Sequence, residues 1–287
     1  MLKIKTQFIL AICFFISFSS QAQNDLHFDK HFIDCMDKWV VIQPGKDSSL
    51  SFGFVYFDQL AGLSLHYEGK FKITSSGEYV AQKLENAGMI FRLKPTGTLM
   101  SIIPTEKLKE LNVSPIPEWL SNYKTDTSSA QSLYNYGFLY NAWNQCATAL
   151  QYLQKAKNVD PQYNKLNVEM AFSYNCLQLY DSAIIVLNKA LKADSTDAYV
   201  NKELVYAQIK SGQLEKAAAS CRKAIRICTD QKFNGENCYN ILYTYFRKND
   251  KVNFNAWLDE AKKWCAKNKQ YMNIIEAMEK EMNKETP

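Results

Sequence analysis

Three stretches decide the fold: Cys146-Ala147-Thr148-Ala149-Leu150-Gln151-Tyr152-Leu153-Gln154-Lys155-Ala156, Tyr180-Asp181-Ser182-Ala183-Ile184-Ile185-Val186-Leu187-Asn188-Lys189-Ala190 and Leu214-Glu215-Lys216-Ala217-Ala218-Ala219-Ser220-Cys221-Arg222-Lys223-Ala224. Each is the previous one displaced by 34 residues. Alanine recurs at 149, 183 and 217. Leu153, Leu187 and Cys221 follow four residues later, and Ala156, Ala190 and Ala224 three after that. Steps of four and three place all three positions on one face of a helix, and that face carries small side chains. Ser211-Gly212-Gln213, just before the third stretch, is a turn signal between two helices. The unit is therefore a pair of helices, and successive units begin at 130, 164 and 198.

This spacing resembles the tetratricopeptide repeat, a family that wants small residues at positions 8, 20 and 27, an aromatic near 11 and proline at 32. Repeat 130–163 has Leu133, Tyr136, Gly137, Tyr140, Ala149, Ala156 and Pro161 in the matching places. Repeat 164–197 has Ala171, Tyr174, Ala183 and Ala190, with Ser195 where proline is expected. Repeat 198–231 departs further, with Val205 and Gln208. A fourth unit, 235–268, follows a short insertion near Phe233-Asn234-Gly235. It matches at Leu242, Tyr245, Leu258 and Ala261, but has Phe254 where alanine is wanted. A last helix, 271–284, is expected to cap the array. One such repeat cannot bury its own apolar face, so the units must stack into a solenoid.

The resemblance implies a concave groove lined by the first helix of each repeat. Carried over position by position, its lining is Tyr134, Phe138, Asn141, Val168, Phe172, Asn175, Lys202, Tyr206, Tyr239, Tyr243 and Phe246, with Ile209 beside them. Aromatic side chains give large contact area at low entropic cost, and asparagine can pair with a peptide backbone. The implied partner is a protein or peptide segment. Packing of these aromatics against one another accounts for the same pattern and stays open. The basic set with which some relatives clamp a C-terminal carboxylate is absent from the matching positions.

Residues 23–125 read differently. Runs rich in β-branched and aromatic residues, among them Trp39-Val40-Val41-Ile42, 52–57, Phe71-Lys72-Ile73, 89–93 and 99–103, are separated by Pro44-Gly45, Ala61-Gly62, Ser75-Ser76-Gly77 and Pro95-Thr96-Gly97. This predicts four to six strands in a small antiparallel sheet. Alternation of Phe91 and Leu93 with Arg92 and Lys94 suggests one solvated face. Helices are expected over 25–37 and 105–111. The fold class is thus an α+β N-terminal domain followed by an all-α repeat solenoid over 126–287.

Upstream, Lys3 and Lys5 precede a run from Phe8 to Phe18 whose sole polar member is Ser17; Ser19-Ser20-Gln21-Ala22 follows. The run is too short to span a bilayer, and its flanks predict a bacterial-type secretory signal peptide, 1–22. The chain is expected to be exported, to the periplasm or beyond, with no transmembrane segment after cleavage. Hydrophobic residues make up 47% of the chain, which excludes a disordered composition. The net charge of +5 includes Lys3 and Lys5 and is too small to point to nucleic acid.

Cysteine usage adds detail, because export permits disulfides. The second helix of one repeat runs antiparallel to the first helix of the next, which places Cys146 near Cys176 and Cys228 near Cys238. His27, His31 and Cys35 stand at i, i+4 and i+8, so a helix would align them as a transition-metal site; Phe28, Phe32 and Met36 in the same run also suit an ordinary amphipathic helix. No nucleophile elbow, zincin motif or phosphate loop occurs, so neither an enzyme nor a cofactor is expected. An alternative gives the activity to the N-terminal sheet, as a small-ligand or hydrolytic module around Asp58, His66, Glu68 and Glu78.

Overall fold

The computed structural model describes residues 26–42, 49–82, 88–124, 126–163 and 165–284. The leader expected at 1–22 lies outside the described residues. The chain divides into two compact units, one of 1–56, 65–91 and 97–118, the other of 57–64, 92–96 and 119–287.

The strands are β1 (Lys38–Ile42), β2 (Leu50–Asp58), β3 (Gly62–Ile73), β4 (Tyr79–Gln82), β5 (Ile90–Arg92) and β6 (Met100–Ile102). They form a sheet in the order β4-β3-β2-β1-β6, with β5 pairing off β3. Strands β1 and β2 are antiparallel, with Val40 opposite Gly53. Gly53 is glycine for a steric reason: a Cβ there would stand 2.4 Å from the His66 carbonyl oxygen. Trp39 meets Phe54 edge-on at 5.2 Å, and Phe71 stacks on Tyr79 at 4.7 Å, giving the first unit an aromatic core. Glu110 accepts from the Tyr79 N–H at 2.7 Å, and Lys107 donates to the Gly77 carbonyl at 2.8 Å. These bonds fasten the 104–114 segment over the β3–β4 hairpin.

Three sequence expectations fail here. The helix over 25–37 is not formed: Lys30 bridges Met100 through two backbone hydrogen bonds, and only a 3-10 turn, Phe32–Cys35, remains. Sheet pairing offers that backbone long-range partners which the local pattern could not reveal. The helix over 105–111 reduces to a 3-10 turn, Thr105–Lys107. Strand β5 has no buried face, since Ile90, Phe91 and Arg92 are all exposed.

In the second unit, helices pair as α1 (Ala130–Ala142) with α2 (Cys146–Val159), α3 (Leu166–Cys176) with α4 (Tyr180–Ala193), α5 (Ala198–Lys210) with α6 (Leu214–Ile227), and α7 (Asn234–Arg247) with α8 (Lys251–Cys265). The last helix, α9 (Lys269–Met282), starts two residues before the expected cap. Every hairpin turns through one left-handed residue: Asn144, Gln178, Gly212 and Asn249. The next residue's N–H bonds back to the carbonyl of Tyr140, Tyr174, Gln208 or Tyr245 respectively, satisfying the helix end. Three of the four turns use a non-glycine residue in a conformation that glycine adopts most freely; two of them, Asn144 and Asn249, are asparagine, the side chain that tolerates it best after glycine, and the third is Gln178. The insertion before the fourth repeat shows as a shift of this turn from a 34-residue to a 37-residue spacing.

The small-residue positions do what the spacing implies. Ala149, Ala183 and Ala217 are fully buried, as are Leu153, Leu187 and Cys221. Gly137 is the closest approach: a Cβ would lie 2.5 Å from Cγ of Leu153. In the fourth repeat Phe254 is itself fully buried and joins Trp257, Ala261 and Cys265 in a core that α9 covers with Ile275, Met278 and Met282.

Candidate functional site: the inner face of the repeats

First helices pack against one another in succession, α1 on α3, α3 on α5, α5 on α7 and α7 on α9. Side chains on their exposed sides therefore share one surface. Tyr134 and Phe138 stack at 6.4 Å, and Tyr134 also meets Tyr163 at 5.2 Å. Phe172 is half-buried. Tyr206 lies edge-on to Tyr180 at 6.4 Å. Tyr239 stacks on Tyr243 at 6.0 Å and on Tyr271 at 4.4 Å. Phe138 is 54% exposed and Tyr243 39%, so the surface remains open at both ends.

Several expected groove residues are used within the fold instead. Val168 is buried, in a core cluster with Ala171, Ala183 and Val200. Phe246 leans on Phe254 at 6.2 Å, and Ile209 packs on the same core. Asn141 and Asn175 are buried and do pair with backbone, but with that of the next repeat. Asn141 Nδ2 donates at 3.0 Å to both the Glu169 carbonyl and Glu169 Oε2. Asn175 Nδ2 donates to the Glu203 carbonyl at 3.4 Å and to Glu203 Oε2 at 2.9 Å. An asparagine in the last turn of a first helix thus clasps a glutamate 28 residues on, twice over.

Lys202 is also occupied. Its ammonium lies 2.8 Å from Glu203 Oε1 and 4.0 Å from Glu236, with the rings of Tyr199 and Phe233 centred 5.3 and 5.7 Å away. Glu169, Glu203, Tyr163 and Tyr199 were absent from the sequence-derived lining. The recurrence of glutamate at 169 and 203, one period apart, is the signal that could have found them. Burial holds the Glu169 carboxyl above the usual carboxylate range, with the Asn141 hydrogen bond opposing and the Glu203 charge adding. Burial also raises the Tyr134 and Tyr199 phenols, and the carboxylates of Glu169 and Glu203 push in the same direction.

Beside Phe138 a cleft of about 370 Å³ opens in the same unit, lined by Phe57, Leu60, Leu63, Leu93, Pro95 and Trp143 among others. Gln59 at its edge donates to Ser132 Oγ at 2.8 Å.

The remaining sequence candidates do not assemble a site. His27 and His31 are exposed while Cys35 is fully buried, and no helix aligns them. Burial and the Asp34 charge push the Cys35 thiol up to about 12, away from the thiolate a metal needs. Among the described residues no His, Cys, Asp and Glu cluster suits a metal ion. Asp58 caps the 58–61 turn and pairs with Arg92 at 3.2 Å, so its carboxylate is structural. His66 and Glu68 stand 3.8 Å apart on β3, and Glu78 is exposed in the turn before β4.

Cys146 and Cys176 are joined, with Cα atoms 6.2 Å apart. The Cys228–Cys238 pairing is not made. Cys228 Sγ accepts from Asn201 at 3.6 Å, while Cys238 faces Cys221 with sulfurs 3.9 Å apart. The physical reason is packing: Cys238 is fully buried in the core with Cys221, Ile241 and Cys265, mid-way along α6 rather than at its end.

No family model matches the chain, and no curated protein matches it. Among solved structures, MamA of MSR-1 is similar at 17% identity over 57% of this chain and 86% of that chain, TM-score 0.44. MamA 41-end from Desulfovibrio magneticus RS-1 gives 19% identity over 62% and 87%, TM-score 0.40. A thermophilic TPR protein of Thermus thermophilus gives 15% over 55% and 84%, TM-score 0.43. The hairpins themselves, with their 34-residue period, repeated left-handed turn and stacked first helices, make the second half of this chain a solenoid of paired antiparallel helices.

Proposed function

We propose that this protein is an exported interaction scaffold that holds a segment of another protein on the inner face of its repeats. One observation carries the reading. Tyr134, Phe138, Phe172, Tyr206, Tyr239 and Tyr243 remain partly open along helices whose other faces are buried. Partly open aromatics on a rigid surface are the usual makings of a binding hot spot. Export is supported by the Lys3/Lys5 start, the short apolar run and the small residues up to Ala22. Among the described residues no helix is long and apolar enough to cross a membrane.

The test compares wild type with the Tyr134→Ala/Phe172→Ala/Tyr206→Ala variant, shown to be folded by circular dichroism, in affinity capture from envelope extract. A protein retained by the first, lost by the second and then titrated directly supports the scaffold. Equal retention by both makes the face a packing surface. Sequencing the secreted form should find an N-terminus at Gln23.

A further inference from the structure

Glu169 and Glu203 hold the same place in successive repeats, each clasped by an asparagine of the preceding first helix. They differ in what neutralises them. Glu203 has an internal cation, Lys202, sitting between its carboxylate, Glu236 and the rings of Tyr199 and Phe233. One period earlier the position of Lys202 is Val168, which is buried in the core. Among the described residues no cation forms an ion pair with Glu169. Lys165, exposed at the start of the same helix, acts on it only at longer range. Aromatic rings stand on both flanking first helices, Tyr134 on α1 and Tyr199 on α5, each of which packs against α3, and Tyr163 packs on Tyr134.

We infer that Glu169, with Tyr134, Tyr163 and Tyr199, is the seat for a basic side chain of the segment bound on the inner face. The Lys202 site within the same chain shows the arrangement already occupied. The inference rests on the scaffold reading above and adds the chemistry of its partner: a segment with a lysine or arginine among apolar residues. Such a side chain would bring a charge-assisted hydrogen bond to a half-buried carboxylate and lie against electron-rich rings, two contributions that strengthen as water leaves. An acidic side chain there would meet Glu169 and Glu203 together and be rejected.

The experiment uses fluorescence anisotropy with labelled, acetylated twelve-residue peptides of leucine, alanine and serine carrying lysine, norleucine or glutamate at the centre. Wild type should bind the lysine peptide roughly tenfold or more tighter than the norleucine peptide, and the glutamate peptide weakest, as expected for a hydrogen bond between charged groups. Glu169→Gln should cut that preference to within about twofold. Val168→Lys, which copies the Lys202 arrangement, should do the same by filling the seat from within. Equal affinity of wild type for the lysine and norleucine peptides, no measurable binding of either included, overturns the seat. So does a preference that survives Glu169→Gln. In either case the scaffold reading is judged separately, by whether the Tyr134/Phe172/Tyr206 variant still loses its captured protein.

Discussion

The asparagine clasp between repeats is complete in one register and incomplete in the next, which permits a test with two opposite signs. In the first, Ser173 Oγ lies 2.8 Å from Asn141 Oδ1, to which it donates, and 3.2 Å from the Glu169 carbonyl. In the second, Asn175 Oδ1 is buried without a partner. The residue one period after Ser173 is Ala207, fully buried and without a hydroxyl. Ser173→Ala should therefore strand Asn141 Oδ1. Leaving a buried acceptor unpaired costs about 1–3 kcal/mol, and alanine's better helix propensity returns less than about 0.7 kcal/mol. The net loss is on the order of 1–2 kcal/mol. Ala207→Ser should do the reverse, gaining about 1 kcal/mol of hydrogen bond less the same propensity term. Urea titration followed by circular dichroism reads both. The midpoint should fall for Ser173→Ala and rise for Ala207→Ser, with unchanged slopes. A neutral Ser173→Ala together with a destabilising Ala207→Ser would refute the idea that these two registers are equivalent.

Removing the Cys146–Cys176 bond by Cys146→Ser/Cys176→Ser should cost about 3–4 kcal/mol, since it closes a loop of 30 residues. Reductant should shift the urea midpoint of the wild type and leave the double variant where it is. Gly53→Ala should destabilise the sheet by at least about 1–3 kcal/mol, because the new Cβ meets backbone at 2.4 Å; a thermal melt matching wild type would contradict this. The Glu169 carboxyl is raised by burial, so the native state holds its proton where the unfolded chain has released it. Stability from this group consequently falls as pH rises from the ordinary glutamate range through the raised native value, then levels off. Glu169→Gln should flatten that part of the stability–pH curve, and an unchanged slope would remove Glu169 as its source.

The repeat array was legible because packing imposes it locally. A helix pair that must approach closely needs small residues at fixed steps, and Ala149, Ala183 and Ala217 record that need whatever lies around them. The sheet was legible as strands, from β-branched and aromatic runs broken by glycine and proline. Its 25–37 flank was not, since the hydrogen bonds that unmade the helix tie Lys30 to Met100, far along the chain. The open face of the first helices was legible only in part. Spacing gives the helix face on which a residue stands, so Tyr134, Phe172 and Tyr206 could be named. Whether a residue on that face meets solvent or the next repeat depends on how helices stack. That is why Asn141, Asn175 and Val168 turned inward, and why Glu169, among the described residues, is left without an ion-pair partner. Periodicity along the chain determined the units; contacts between one repeat and the next decided which side chains were left open on the face of the first helices.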